Sequence, residues 1–226
     1  MFSDSNGGFL MYKKIFLTVI YLLVLVLPVY AIECESASQC VIIGQKMIEQ
    51  KEYEKALKCF DNALLMDSQS YLAHAYRAKT NFYFGRYEQM LEDTTKSIEI
   101  YPNDRAYGLR GSAKLALGNN LGAIEDVSKA LELNPKYMKC YEVRARAEAN
   151  IGDYISALKD ANRAINLRKD YAKAYEVLGY AQVGIKDYLS AIESFKIAED
   201  LFKKQGDRKS SNKMKSEIKK YKRFQK

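Results

Sequence analysis

The chain has 226 residues, 48% of them hydrophobic, with only 3 prolines and 12 glycines; a disordered or collagen-like chain is excluded and a packed core is within reach. The formal charge of +8 is unevenly placed, because residues 203–226 carry eleven Lys or Arg against Asp207 and Glu217 while the rest is nearly neutral. The basicity belongs to a tail, so the body is not built to bind nucleic acid by overall charge.

Residues 1–31 read as an export signal. Lys13 and Lys14 precede an uninterrupted apolar run from Ile15 to Leu27, followed by Pro28 and the slim residues Val29 and Ala31. That order of charge, apolar core and small residue is the layout of a secretory signal peptide, and cleavage is expected between Ala31 and Ile32. A retained membrane anchor is the alternative, since Ile15 to Ile32 just reaches the length of a span. Both readings put the rest of the chain outside the cytoplasm, periplasmic or secreted. Met11 is a more natural start for the signal than Met1. Glu33 argues against lipid attachment at Cys34, because such signals need a small residue there.

Cys34, Cys40, Cys59 and Cys140 show no spacing suited to zinc, and neither a metal nor a cofactor is expected. In an oxidising compartment Cys34 and Cys40 are placed to close a short loop worth roughly 2 kcal/mol; the alternative is idle thiols.

From Ala37 onward the sequence repeats itself about every 34 residues, in segments 37–70, 71–103, 104–137, 138–171 and 172–203. The eighth position holds Gly44, Ala78, Gly111, Ala145 and Gly179, side chains small enough for two helices to touch. The twentieth holds Ala56, Met90, Ala123, Ala157 and Ala191, and the twenty-seventh Ala63, Ser97, Ala130, Ala164 and Ala198. Small residues seven apart make one stripe of a second helix. Between the two stripes lie Gly85-Arg86-Tyr87, Gly118-Asn119-Asn120, Gly152-Asp153-Tyr154 and Lys186-Asp187-Tyr188, short turns that make the helices antiparallel. Pro102 and Pro135 stop the second helix in two segments. In the basic region 207–226, Met214, Ile218, Tyr221 and Phe224 fall on one helical face among lysines. This predicts a terminal helix that caps the array, with Lys213 on its solvated outer face.

At these residues the chain resembles the tetratricopeptide-repeat family, whose unit is a helix-turn-helix with small residues at positions eight, twenty and twenty-seven and proline near thirty-two. The resemblance implies an all-α, right-handed superhelical solenoid, completed here by the C-terminal capping helix. It also implies a concave groove, lined by the first helix of each unit, that holds a protein or peptide. The positions facing that groove by resemblance include Gln45, Lys79, Tyr83, Arg105, Ser112, Arg146, Asn150 and Tyr180. Lys, Arg and Tyr there suit an extended acidic peptide. The polar clamp by which some members hold chaperone C-termini is missing, with Val41, Gln45, Tyr76 and Leu109 at its positions.

No constellation for catalysis is legible. His74 is the single histidine and stands at a packing position; there is no phosphate loop, G-x-S-x-G or H-E-x-x-H. The sequence therefore reads as a protein-binding scaffold or adaptor rather than an enzyme. The alternative is attachment to an anionic membrane or nucleic acid through the basic tail; nucleic acid ranks lower, because no aromatic platform is interleaved with the charges.

Overall fold

The computed structural model describes residues 34–224, so the export segment and its expected cleavage between Ala31 and Ile32 lie outside the described residues. Glu35–Lys226 forms one compact unit. Among its described residues there are eleven α-helices and no strand, ten of them in five antiparallel pairs. The pairs are α1 (Ala37–Glu49) with α2 (Tyr53–Met66), α3 (Tyr71–Tyr83) with α4 (Tyr87–Ile100), α5 (Asp104–Ala116) with α6 (Asn120–Leu133), α7 (Met138–Asn150) with α8 (Tyr154–Leu167), and α9 (Ala172–Gly184) with α10 (Tyr188–Lys204). The eleventh helix, α11 (Arg208–Lys222), packs on α10.

Local sequence starts and stops these helices. The side chains of Ser70, Asn103, Asp153 and Asp207 each accept a hydrogen bond from the amide three residues on, at 3.4, 2.9, 3.1 and 3.0 Å. Such a cap is worth about 1 kcal/mol. Each hairpin turn passes through one left-handed residue. Gly85, Gly118 and Gly152 take that conformation freely, whereas Lys51 and Lys186 hold φ of 62° and 64° at a cost of roughly 1–2 kcal/mol each.

Within a pair the helices meet at the recurring small residues, all of them buried. A Cβ built on Gly44, Gly111 or Gly179 would stand 2.5 Å from Phe60, Val127 or Phe195, the residue sixteen positions later on the facing helix. Where the first residue is Ala78 or Ala145, its counterpart is the smaller Thr94 or Ala161. The two positions share one volume, as close packing requires. Ala157 has no exposed surface, so Ala157→Leu is expected to overpack the α7–α8 contact by about 1–3 kcal/mol. Thermal unfolding reads the result, and an unchanged midpoint would show that the helices do not meet there.

Consecutive first helices also touch: α1 reaches α3, α3 reaches α5, α5 reaches α7 and α7 reaches α9, while second helices make no comparable contact with one another. The first helices therefore follow the shorter, inner path, and their outward-facing side chains line the concave surface.

A second repeating device lies between the helices. Arg77, Arg110 and Arg144 each donate to the carboxylate sixteen residues later, Asp93, Asp126 and Asp160, at 2.9, 2.8 and 2.5 Å. Arg77 also reaches back to Asp61 at 2.8 Å and Arg144 to Ser128 at 3.0 Å, tying one pair to the one before. The end pairs replace this bridge by Ile43 with Cys59 and Leu178 with Ser194. His74 joins the same arrangement through Nδ1, 2.9 Å from Asp93, and Nε2, 3.3 Å from the Ser68 carbonyl.

The capping helix buries Met214, Ile218 and Tyr221 against Phe195, Ala198 and Phe202 of α10. Two expectations are corrected here. Phe224 is 52% exposed because α11 ends at Lys222, although its ring still stacks on Tyr188 with centroids 5.1 Å apart. Lys213 is about half exposed, 51% by its side chain, but it is not idle; its ammonium pairs with the buried Glu176 of α9 at 2.8 Å and lies 5.1 Å from the Tyr180 ring. Lys213→Glu should therefore loosen the cap by about 1–3 kcal/mol rather than be silent, since it sets a second carboxylate against Glu176. Urea unfolding of the variant checks this, and a midpoint equal to wild type would remove Lys213 from the cap contact.

Candidate functional site

The inner face holds two adjoining cavities. Lys79, Tyr83, Arg105 and Ser112 line the first, of about 300 Å³, together with the apolar Phe82, Leu109 and Tyr137. Ser112, Arg146 and Asn150 line the second, of about 270 Å³, with Lys139, Lys173 and Val143. Phe82, Ser112 and Lys139 belong to both, which makes the two a continuous groove. The repeat sets up this groove, because residues two, nine, twelve and thirteen of a first helix recur on its inward side. Gly108 contributes by its lack of a side chain: a Cβ there would stand 2.9 Å from the sulfur of Cys140 and 3.0 Å from the Tyr137 ring.

Of the eight residues read from the sequence, Gln45 and Tyr180 line neither cavity. Tyr180 packs edge-on against Phe195 at 5.1 Å and under Lys213, so it serves the cap. Arg146 lines the groove, but its guanidinium is held by Glu142 at 3.1 Å and Glu176 at 3.4 Å. Asn150 donates to Asn120 at 3.0 Å and Ser112 to the Gly108 carbonyl at 2.8 Å. Tyr83 stacks on Tyr53 at 4.3 Å, and Arg105 donates to the Tyr76 hydroxyl at 2.8 Å.

The sequence reading missed Lys139, Lys173 and the acid between them. Lys139 pairs with Glu142, which also takes Arg146 and accepts from the Tyr171 hydroxyl at 3.1 Å. Burial alone would raise the Glu142 carboxyl; the opposing charges of Lys139 and Arg146 outweigh it and hold the group at about 2. Lys173 is drawn below the usual lysine range by burial and by the like charge of Lys139. A recurring signal for these residues was present: Arg105, Lys139 and Lys173 are the second residue of α5, α7 and α9.

Lys79 and Lys173 have no ion-pair partner among the described residues. With Arg105 and Lys139 they give the groove an excess of cations over its buried carboxylate, beside the apolar wall of Phe82, Leu109 and Val143. Such a surface is complementary in charge to carboxylates and has an apolar wall beside its cations. Among the described residues no group of three His, Cys, Asp or Glu is placed to hold a metal ion, and no helix is long and apolar enough to cross a membrane.

Residues 104–137, which hold α5 and α6, match the family model of the tetratricopeptide repeat. A tetratricopeptide-repeat-containing protein of Methanocaldococcus jannaschii is 35% identical over 98 residues, 43% of this chain; the stretch spans 17% of that relative's length. Among solved structures, a thermophilic tetratricopeptide-repeat protein of Thermus thermophilus superposes with a TM-score of 0.67 at 19% identity, covering 81% of this chain and 99% of that one. The fold is a tetratricopeptide-repeat solenoid. YrrB, a tetratricopeptide-repeat protein with an unusual peptide-binding site, superposes with a TM-score of 0.60 at 20% identity, covering 80% and 93%. The solenoid of this chain combines a cation-lined groove with a basic capping helix that reaches α9 through Lys213 and Glu176.

Proposed function

We propose that the chain is a protein-interaction scaffold that holds an extended acidic peptide segment in its groove. The observation that carries this reading is the cation-lined, apolar-walled channel formed by Lys79, Arg105, Lys139 and Lys173 with Phe82 and Leu109. The peptide-binding description of YrrB supports it. Three lysines of the capping helix have work of their own: Lys213, Lys215 and Lys220 pair with Glu176, Glu199 and Glu217 at 2.8, 3.8 and 3.9 Å. This weighs against the basic tail as the principal attachment site.

The test uses a fluorescent peptide alternating Glu and Leu, with a Lys and Leu peptide as control. Lys79→Glu with Lys173→Gln should weaken the acidic peptide by about tenfold or more while the helical circular dichroism is retained; Lys173 is neutralised rather than reversed because its charge faces Glu142. Equal binding of acidic and basic peptides, or no loss in the double variant, rejects the assignment.

The same proposal places the repeats outside the cytoplasm, either secreted or periplasmic after cleavage or held by an uncleaved anchor. The disulfide-bonded state of Cys34 and Cys40, beside free and buried Cys59 and Cys140, supports it. N-terminal sequencing of the mature chain should begin at Ile32 after cleavage. Recovery of the chain in the cytoplasm with Cys34 and Cys40 reduced would overturn the export reading.

A further inference from the structure

One edge of the solenoid carries a feature that the groove does not use. In the third, fourth and fifth pairs the residue closing the first helix and the second residue of the following helix are both aliphatic and both in solvent. They are Leu117 with Leu121, Ile151 with Ile155, and Ile185 with Leu189. The latter of each doublet is 71, 69 and 68% exposed. Each doublet brackets a hairpin turn, so all six lie at the same end of their helical pairs. Stacking of the first helices then sets the three doublets one after another along a single edge. The first two pairs lack the feature, having Gln50 with Glu54 and Phe84 with Glu88 at the same places.

Together the six side chains leave about 600 Å² of surface in water, the upper end for the largest apolar patch on a monomer and close to one partner's share of a small specific interface. We propose that this edge joins two copies of the chain about a two-fold axis beside Ile151 and Ile155, so that Leu117 and Leu121 of one copy meet Ile185 and Leu189 of the other. Three evenly repeated aliphatic doublets read alike in either direction, which is what an isologous contact needs. The antiparallel arrangement also sets the charged turn of Lys186 and Asp187 over the uncharged turn of Asn119 and Asn120. An anionic bilayer is the competing occupant, because Lys219, Lys220 and Arg223 end α11 beside Tyr188; against it, Asp153 and Asp187 stand within the edge. This contact is independent of the groove and of what the groove holds.

The experiment is bis-maleimide crosslinking of the full chain in its native host, with Ile155→Cys beside the axis and Ile42→Cys as an exposed control elsewhere. Cys59 and Cys140 are buried and Cys34 and Cys40 are bonded, so the introduced thiol is the reactive one. Ile155→Cys should give a covalent dimer of the chain and Ile42→Cys should not. In sedimentation, replacing Leu121, Ile155 and Leu189 by Lys should raise the concentration for half-dimerisation at least a hundredfold with the helical circular dichroism retained. Equal crosslinking at both sites, a monomeric wild type, or self-association untouched by the triple replacement overturns the proposal. So does a result in which the triple replacement abolishes only binding to phosphatidylglycerol vesicles.

Discussion

Glu142→Gln is expected to lower stability by about 3–5 kcal/mol at neutral pH, the largest effect of any single polar replacement in this molecule. Glu142 is 2% exposed and is the negative centre on which Lys139, Arg146 and the Tyr171 hydroxyl converge. The amide keeps the shape and removes the charge, leaving Lys139, Arg146 and Lys173 facing one another without the buried anion between them. The pH dependence follows with a definite sign. The folded carboxyl sits at about 2, below its ordinary value of 4.5, so the folded state holds its charge to lower pH than the unfolded chain does. Its contribution is complete above pH 4.5 and is lost as pH falls toward 2, a span worth about 3 kcal/mol. Urea unfolding across that range should show a steeper acid loss for wild type than for Glu142→Gln. Parallel curves would mean that Glu142 is not the charge at the centre of the network.

Six residues along the same helix, Glu148→Gln is expected to do the reverse and stabilise the protein by about 2–3 kcal/mol at pH 8. In the third pair Lys114 completes Asp126 at 2.8 Å; the corresponding residue of the fourth pair is Glu148, set beside Asp160. Burial first, and the charge of Asp160 second, raise the Glu148 carboxyl to about 7, only partly countered by Arg144, whose Nε lies 3.9 Å away. Its Oε2 is buried without a hydrogen-bond partner. A raised carboxyl binds its proton more tightly in the folded state, so wild-type stability should decline as pH climbs from 4.5 to about 7 and level off beyond. The amide cannot ionise and should escape that decline, equalling wild type near pH 4.5 and exceeding it at pH 8. A variant weaker than wild type at pH 8 would show that the carboxylate is compensated after all. The two carboxyls act in adjoining pH windows, so measurements from pH 2 to pH 8 separate them.

The repeat and its helices are legible in the sequence because their causes are local. Small residues at intervals of about 34, Ser, Asn or Asp at helix starts, and a left-handed Gly in the turn act over a few residues, and aligning the segments exposes them. The assignment of Lys79, Arg105 and Ser112 to groove-facing positions came from the family resemblance, and all three line the first cavity. Lys139 and Lys173 hold the same second-residue place as Arg105 in their helices and were open to the same reading.

Other features depend on which atoms meet through space. Nothing in a run of residues says that Arg146 also reaches Glu176 while Lys79 stays unpaired, or that Lys213 reaches Glu176, because these pairings are chosen by distance and burial between separate helices. The sequence by itself determined a helical repeat solenoid, since backbone preference and side-chain size repeat with the chain. Tertiary structure alone decided which charges remain free, which acid is held ionised and which resists ionisation, since electrostatic energy depends on neighbours and solvent rather than on position along the chain.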